Sequence, residues 1–332
     1  MSAAPRYVLV TGGAGYIGSH TCKSLALTGY TPVSYDDLST GNAWAVKWGP
    51  LETGDIRDAD RLHTVVEAYR PVAVMHLAAS ALVGESVREP SLYYRNNVVG
   101  SLTVLDVCRA AGVATLVFAS SCSVYGVPRH LPVTEDTATD PLSPYGASKL
   151  VLERVLRDYE AAYGLRHASL RYFNVAGADA DGDLGECREV ETHIIPLALE
   201  AVLGRGRPFH IMGTDYPTPD GTAIRDYVHV CDVAEANLAA LRHLLAGGNS
   251  VVCNLGSGKG YSVQQILDSI EQHAGRPVPC SRAGRRSGDP PAIVADIARA
   301  ATHLHWSPRQ SSLAALIGSA WQWHQTRPIP TG

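Results

Sequence analysis

The feature that most constrains this chain is a glycine-spaced turn, Thr11-Gly12-Gly13-Ala14-Gly15-Tyr16-Ile17-Gly18, which follows the β-branched run Tyr7–Val10 and opens into a helical pattern. Strand, turn and helix in that order are the setting in which such spacing signals dinucleotide binding. Gly12 suits the tight turn. Gly15, with Tyr16 and Ile17 after it, lets backbone N–H groups approach a pyrophosphate at the positive helix end, and Gly18 permits close helix–strand packing. The next strand closes on Tyr35-Asp36-Asp37, eighteen residues beyond Gly18. A carboxylate there accepts the ribose hydroxyls of NAD and repels the extra phosphate of NADP, so Asp36 is the expected ribose ligand and NAD the expected cofactor.

Further along, short β-branched runs alternate with amphipathic stretches. Tyr7–Val10, Thr31–Tyr35, Val72–Leu77, Thr115–Ala119 and His167–Tyr172 read as strands; Ile17–Leu27, Ala59–Tyr69, Tyr93–Ala111 and Tyr145–Tyr163 read as helices. Such alternation, with right-handed crossovers, predicts an α/β fold, a doubly wound Rossmann-type parallel sheet. After Tyr172 the pattern gives way to Gly/Asp/Pro-rich loops at Gly177–Gly185 and Gly213–Gly221. We therefore expect residues 1–174 to form the NAD-binding domain, with 230–255 returning to it through helix Cys231–Leu245 and strand Val251–Asn254. Residues 175–229 and 256–332 then form a smaller, irregular C-terminal substrate lobe.

Composition narrows the partners. With 28 basic against 32 acidic residues and no long basic run, no nucleic-acid partner is expected. No apolar run is long enough to span a membrane, and no leader pattern precedes Tyr7. The seven cysteines lack Cys-x-x-Cys spacing and leave one over, which suits a reducing cytoplasm. Thirteen histidines include no His-Glu-x-x-His pair, so no metal is expected. The densest basic cluster, Arg282, Arg285 and Arg286, is either a solvated loop or a site the size of one diphosphate.

Catalytic groups are expected after Ser143-Pro144, where Tyr145 and Lys149 stand four residues apart on one helix face. A phenol with a pKa of about 10 is a poor base at neutral pH, and a nearby ammonium favours its phenolate. Tyr145 can then exchange a proton with a sugar hydroxyl. A surface Tyr/Lys pair is common by itself; here it accompanies the glycine turn and a serine-rich strand end, Ser120-Ser121-Cys122-Ser123. Ser121 is the expected relay or hydrogen-bond donor to the reacting oxygen, with Ser120 and Ser123 as competitors.

The whole arrangement resembles the extended short-chain dehydrogenase/reductases, and its finer motifs resemble the UDP-galactose 4-epimerases over almost the full length, from about Arg6 to Trp323. They include Gly54-Asp55-Ile56-Arg57, His76-Leu77-Ala78-Ala79, Asn96-Asn97-Val98, Arg171-Tyr172-Phe173-Asn174, Asp215-Tyr216-Pro217-Thr218, Arg225-Asp226-Tyr227 and Arg285-Arg286-x-Gly288-Asp289. The resemblance implies that Asp55 and Ile56 contact adenine, that Asn96 lies near the nicotinamide end and that Tyr172 borders the cofactor. It further implies that Asn174, Arg225 and Arg286 hold the UDP diphosphate, that Asp289 meets the uridine ribose and that His193 and Met212 line the substrate. The implied substrates are UDP-galactose and UDP-glucose, converted through a 4-keto sugar, and the implied assembly is a homodimer through helices Tyr93–Ala111 and Tyr145–Tyr163. Two positions depart from many relatives: Ala81 stands where some carry a lysine, and Met212 where several carry an aromatic residue.

Three alternatives stay open. Epimerases of UDP-xylose or UDP-N-acetylhexosamines share the catalytic groups. Ile293, or Ala292 beside it, is the expected gate at sugar carbon 2, too large for easy entry of an N-acetyl group. A sugar 4,6-dehydratase needs an acid and a base, and similar dehydratases place Thr-Asp-Glu where this chain has Ser120-Ser121-Cys122, with no carboxylate. A non-catalytic NAD-sensing protein would have no need of Tyr145 and Lys149.

Overall fold

The computed structural model describes residues 5–206, 208–286 and 289–326. Gly288, part of the expected diphosphate motif, lies outside the described residues. The first part of the chain runs β1 (Tyr7–Thr11), α1 (Tyr16–Leu27), β2 (Thr31–Asp36), β3 (Leu51–Thr53), α2 (Ala59–Tyr69), β4 (Ala73–His76), α3 (Val83–Arg88), α4 (Pro90–Tyr93), α5 (Gly100–Ala110), β5 (Thr115–Ser121), α6 (Pro144–Tyr163) and β6 (Arg166–Tyr172). The rest is β7 (Asn174–Ala176), α7 (Ile194–Val202), β8 (Phe209–Met212), β9 (Ile224–His229), α8 (Val230–Leu245), β10 (Val251–Leu255), β11 (Gly260–Ser262), α9 (Val263–Ala274), β12 (Cys280–Ala283), β13 (Ala292–Ile293), α10 (Ala298–Leu304) and α11 (Leu313–Thr326).

Seven strands form one sheet in the order β10-β6-β5-β4-β1-β2-β3, parallel throughout. From β1 the chain winds outward to β2 and β3, then returns to place β4 on the other side of β1. Ligands of such sheets sit at that reversal, beyond the carboxyl ends of β1 and β4. All seven residues of β5 are buried, as expected of a parallel strand covered on both faces. One face is packed by α2, α5 and α6 through Leu62, Val66, Val104, Leu105, Leu152 and Leu156. The other is packed by α1 and α8 through Cys22, Leu25, Val233 and Leu241.

Local chemistry explains the helix ends. Ser143 caps α6 by accepting from Gly146 N at 3.2 Å, Pro144 follows at the first helical position, and Gly164 closes the helix at φ 71°. The stretch expected as one helix, Tyr93–Ala111, is instead widened at Tyr94–Val99 into a π-helical turn that brings Asn96 and Asn97 to Ser80.

Residues 230–255 rejoin the sheet: β10 pairs β6 at its edge and α8 lies against α1. The expected boundary after them is less clean. Ala300, Leu304 and Trp306 pack into the sheet's own core, and Trp306 Nε1 donates to Asp232 O at 2.8 Å. A separate core joins α7, α9 and α11 with Phe209, Ile211 and Tyr227. The strands here are short: β11, β9 and β13 in sequence across one small sheet with β7 against β9, and β12 paired with β8. All seven cysteines are free thiols. Among the described residues no helix is long and apolar enough to cross a membrane.

Candidate active site

The glycine turn sits at the sheet reversal. Gly12 has φ +74°, and a Cβ there would fall 2.6 Å from Ala78 N; one on Gly18 would collide with the Gly12 carbonyl. Helix α1 begins at Gly15 with no side-chain cap and no acidic residue in its first turn, so its N-terminus is left for an anion. Asp36, at the end of β2, is 8% exposed and accepts from Ala14 N and Leu38 N, each at 2.9 Å. Burial raises its pKa while those two donors oppose the rise. One bond thus ties the expected ribose carboxylate to the glycine turn, and this donor set fits a dinucleotide without a 2′-phosphate.

Around this turn, Ile56 is buried and packs near Gly100, whereas Asp55 is bound by Arg57 through Nε at 2.9 Å and anchors Tyr35 through its backbone oxygen. Tyr16 reaches across to the other lobe, its hydroxyl donating to Gly177 O at 2.6 Å. Tyr172 is buried, and its hydroxyl is spent on Asn237 Oδ1 at 2.7 Å.

At the end of β5 the three serines separate. Ser120 is buried and donates to Glu153 Oε1 at 2.6 Å, in a network where Arg171 Nε and a terminal guanidinium nitrogen meet Glu153 at 2.9 and 2.6 Å. Ser123 contributes its backbone N–H to Ser121 Oγ. Of the three, it is the Ser121 hydroxyl that acts on the Tyr145 phenol, pulling its pKa down.

Tyr145 is half-buried, edge-on to Tyr93 with ring centroids 6.4 Å apart. Desolvation raises its pKa; the Ser121 hydroxyl and the Arg188 guanidinium pull the other way. Lys149 is 4% exposed, donates to Ala119 O at 2.8 Å and stands 5.9 Å from the Tyr145 ring centre. Burial brings its own pKa down to about 7. Burial thus works against charge on both members of the pair, raising the phenol and lowering the ammonium.

A chain of polar contacts missed by the sequence reading supports both residues. His76, at the end of β4, has Nδ1 2.7 Å from Thr11 Oγ1 and Nε2 2.7 Å from Ser101 Oγ. Ser101 donates to Asn97 O, and Asn97 Nδ2 donates to Ser80 O and to Ser148 Oγ, each at 3.0 Å. Burial lowers the His76 pKa to about 3, so it is a neutral ring that can both donate and accept. Asn96 is less central, giving its amide to Ser80 Oγ at 3.0 Å. His76 and Asn97 stood inside quoted motifs without a role. The signal at His76 was a polar residue at the end of an otherwise apolar strand.

On the substrate side, charged groups hold one another. Arg225 pairs with Asp289, and its other guanidinium nitrogen donates to Ile224 O at 2.7 Å. Arg285 meets Asp215 Oδ1 at 2.7 Å and lies 4.4 Å over the Tyr216 ring. Arg286 is exposed. His193 precedes α7 without capping it, its Nδ1 2.6 Å from Glu186 Oε1, the oxygen that also accepts from Arg188 Nε at 3.0 Å. Although burial opposes it, the Glu186 carboxylate raises the His193 pKa. Asn174 begins β7 opposite Tyr227, and Met212 ends β8 opposite Ala283. Ala81 is exposed. Ile293 is 5% exposed among Val124, Tyr125, Val133 and Phe173, while Ala292 is half-buried, so the two candidate gates face different surroundings.

The family model described as the NAD dependent epimerase/dehydratase family matches residues 8–256. The chain is 51% identical to the UDP-glucose 4-epimerase of Rhizobium meliloti, covering 96% of this chain and 97% of that protein. It is 49% identical to the UDP-glucose 4-epimerase of Rhizobium leguminosarum bv. trifolii, over 96% and 97% of the two chains. Among solved structures, UDP-glucose 4-epimerase from Brucella ovis in complex with NAD superposes with a TM-score of 0.94 at 51% identity, covering 96% of this chain and 98% of that one.

Proposed function

The chain belongs to the NAD dependent epimerase/dehydratase family, and from that premise we propose that it interconverts UDP-galactose and UDP-glucose by reversible oxidation at sugar carbon 4. The observation that carries this reading is Tyr145 in the first turn of α6, near enough to Ser121 for that hydroxyl to act on its phenol, with Lys149 buried behind it at the carboxyl end of β5. No carboxylate stands at Ser120-Ser121-Cys122, where an elimination would need one.

NAD, when bound, supplies a reversible acceptor for the hydride of carbon 4. The α1 N-terminus with Gly12, Gly15, Tyr16, Ile17 and Gly18 would hold its pyrophosphate, Asp36 its adenosine ribose, Asp55 and Ile56 its adenine, and Asn96, Lys149 and Tyr172 its nicotinamide end. Tyr145 takes the proton of the 4-hydroxyl as carbon 4 gives up its hydride, and returns a proton to that oxygen as the hydride comes back to the opposite face of the rotated 4-keto sugar. Ser121 donates to the oxygen that carries the charge. Lys149, buried beside Tyr145, would tune the phenol and orient the nicotinamide ribose. Asn174, Arg225 and Arg286 would hold the UDP diphosphate and Asp289 the uridine ribose, with His193 and Met212 lining the substrate, while the hexose rotates.

We read residues 1–174 with 230–255 as the cofactor half and most of the remainder as the substrate half. The setting is the cytoplasm, in keeping with seven free thiols. The assembly is a homodimer, supported by exposed Leu92, Tyr94, Val99, Val151 and Tyr163 along the α4–α5 stretch and α6. The function is tested by incubating the protein with UDP-galactose, no NAD added, and following the anomeric signals by NMR. UDP-glucose should appear and approach equilibrium; unchanged UDP-galactose would overturn the reading.

A further inference from the structure

Tyr216 is a large polar residue, 4% exposed, and its hydroxyl has no hydrogen-bond partner among the described residues. A buried phenol hydroxyl left unpaired costs free energy comparable to a lost hydrogen bond, so its persistence calls for a partner that arrives later. Its surroundings indicate what kind. The Arg285 guanidinium lies 4.4 Å above the ring, held there by Asp215 at 2.7 Å. The Arg225–Asp289 ion pair is close enough to perturb the phenol electrostatically, as are Arg285 and Asp215. The backbone holds the ring in place: Tyr216 N donates to Gly221 O at 2.9 Å, and a side chain at Gly213 would strike the ring edge.

Most buried tyrosine hydroxyls here are already committed. Tyr125 donates to Asn254, Tyr172 to Asn237, Tyr93 to Leu82 and Glu85, Tyr35 to Asp55. Tyr216 differs in being unpaired beside two arginines at the substrate half. Phenols donate strongly to anionic oxygens, and charge-assisted bonds are the stronger class. We propose that the Tyr216 hydroxyl is a ligand of the nucleoside diphosphate, donating to a diphosphate oxygen that lies between Arg225 and Arg285. The proposal rests on the UDP-sugar reading above and adds a substrate-binding residue to it. The bond is made in the ground state and the transition state alike, far from any role in proton transfer, so its loss belongs in KM and leaves kcat.

The experiment compares the parent with Tyr216→Phe, which removes only the hydroxyl, using calorimetric titration with UDP and with uridine, steady-state turnover of UDP-galactose, and thermal unfolding without ligand. The expected result is UDP affinity weakened by about 10-fold or more, as for loss of a bond to a charged group, with uridine affinity and kcat unchanged. Ligand-free Tyr216→Phe should be no less stable than the parent, because an unpaired group has been deleted. Unchanged UDP affinity would overturn the proposal, and so would an equal loss for uridine, which would place the hydroxyl on the nucleoside. A variant that unfolds earlier while binding UDP normally would assign the hydroxyl to an internal water and overturn it too. If the parent itself neither binds UDP nor turns over UDP-galactose, the functional reading fails instead, which separates the two.

Discussion

The two halves of the site are built on opposite terms. On the cofactor side, polar groups are satisfied by the fold itself: Asp36 by two backbone amides, His76 by Thr11 and Ser101, Asn97 by Ser80 and Ser148. On the substrate side, the groups expected to meet the ligand are satisfied by each other, Arg225 by Asp289 and His193 by Glu186, or remain unpaired, as does the Tyr216 hydroxyl. The first arrangement costs nothing to reorganise when a ligand enters. The second requires ion pairs to be shared or opened, and those pairs are partly exposed, where each is worth little. A redox-neutral reaction makes use of this contrast, because the cofactor stays while nucleotide sugars come and go.

The sharpest break of the comparison is at the junction of the halves. Tyr145→Phe keeps the ring that packs edge-on to Tyr93 and removes the phenolic base, so turnover should fall by roughly 10²- to 10⁴-fold with UDP affinity retained by calorimetry. Near-normal turnover would move the base elsewhere, with Ser121 first in line.

Next in size is Lys149→Met, which tests whether the prebuilt half carries strain for the sake of chemistry. Burial depresses the folded-state pKa of Lys149 to about 7, below its unfolded value. Between those two pKa values the unfolded chain binds more protons than the native state, so the destabilisation is full below pH 7 and fades as pH rises toward the ordinary lysine range. Stripped of nucleotide, the variant should therefore melt higher than the equally treated parent at pH 7, with the gap narrowing by pH 9, and reloaded with NAD it should turn over UDP-galactose far more slowly. A gap that does not change with pH would mean that Lys149 is comfortably charged in the fold.

How far this division could be read from the chain depends on the range of the contacts. Helix α2 was expected at its observed bounds and α6 within one residue, because caps such as Asp58 and Ser143 act over three residues. The glycine turn and Asp36 were legible for a related reason: strand, turn and carboxylate follow one another in sequence. The His76–Ser101–Asn97–Ser148 chain joins three separated segments, and no local pattern foretells it. Arg225–Asp289 spans 64 positions, so both were assigned to ligand without sight of their mutual pairing. The suppressed charge on Lys149 escaped notice because spacing shows that Tyr145 and Lys149 share a face and says nothing of how deeply that face is buried. Segment 298–306 was expected in the substrate lobe for the same reason: the contacts of Ala300, Leu304 and Trp306 with the sheet's core are long-range.

The smallest expected effect is at Ile293, on the substrate side. Its side chain packs with Val124 and Tyr125, just past the end of β5. Ile293→Ser should raise the kcat/KM for UDP-N-acetylglucosamine relative to UDP-glucose, because specificity is a ratio of those constants. It should also lower stability, since a hydroxyl enters an apolar cluster. Equal efficiency on both sugars in the parent would refute the gate and point to Ala292, the half-buried neighbour.

The contrast between a resident cofactor and an exchanging substrate is tested most directly by counting the nucleotide that stays with the protein. Protein passed through a desalting column before and after many turnovers of UDP-galactose is denatured, and the released nucleotides are separated by chromatography. The account predicts about one equivalent of NAD per chain both times, with no net NADH formed in proportion to product. NADP as the dominant nucleotide, or turnover that stops after desalting and resumes only with added NAD, would contradict it.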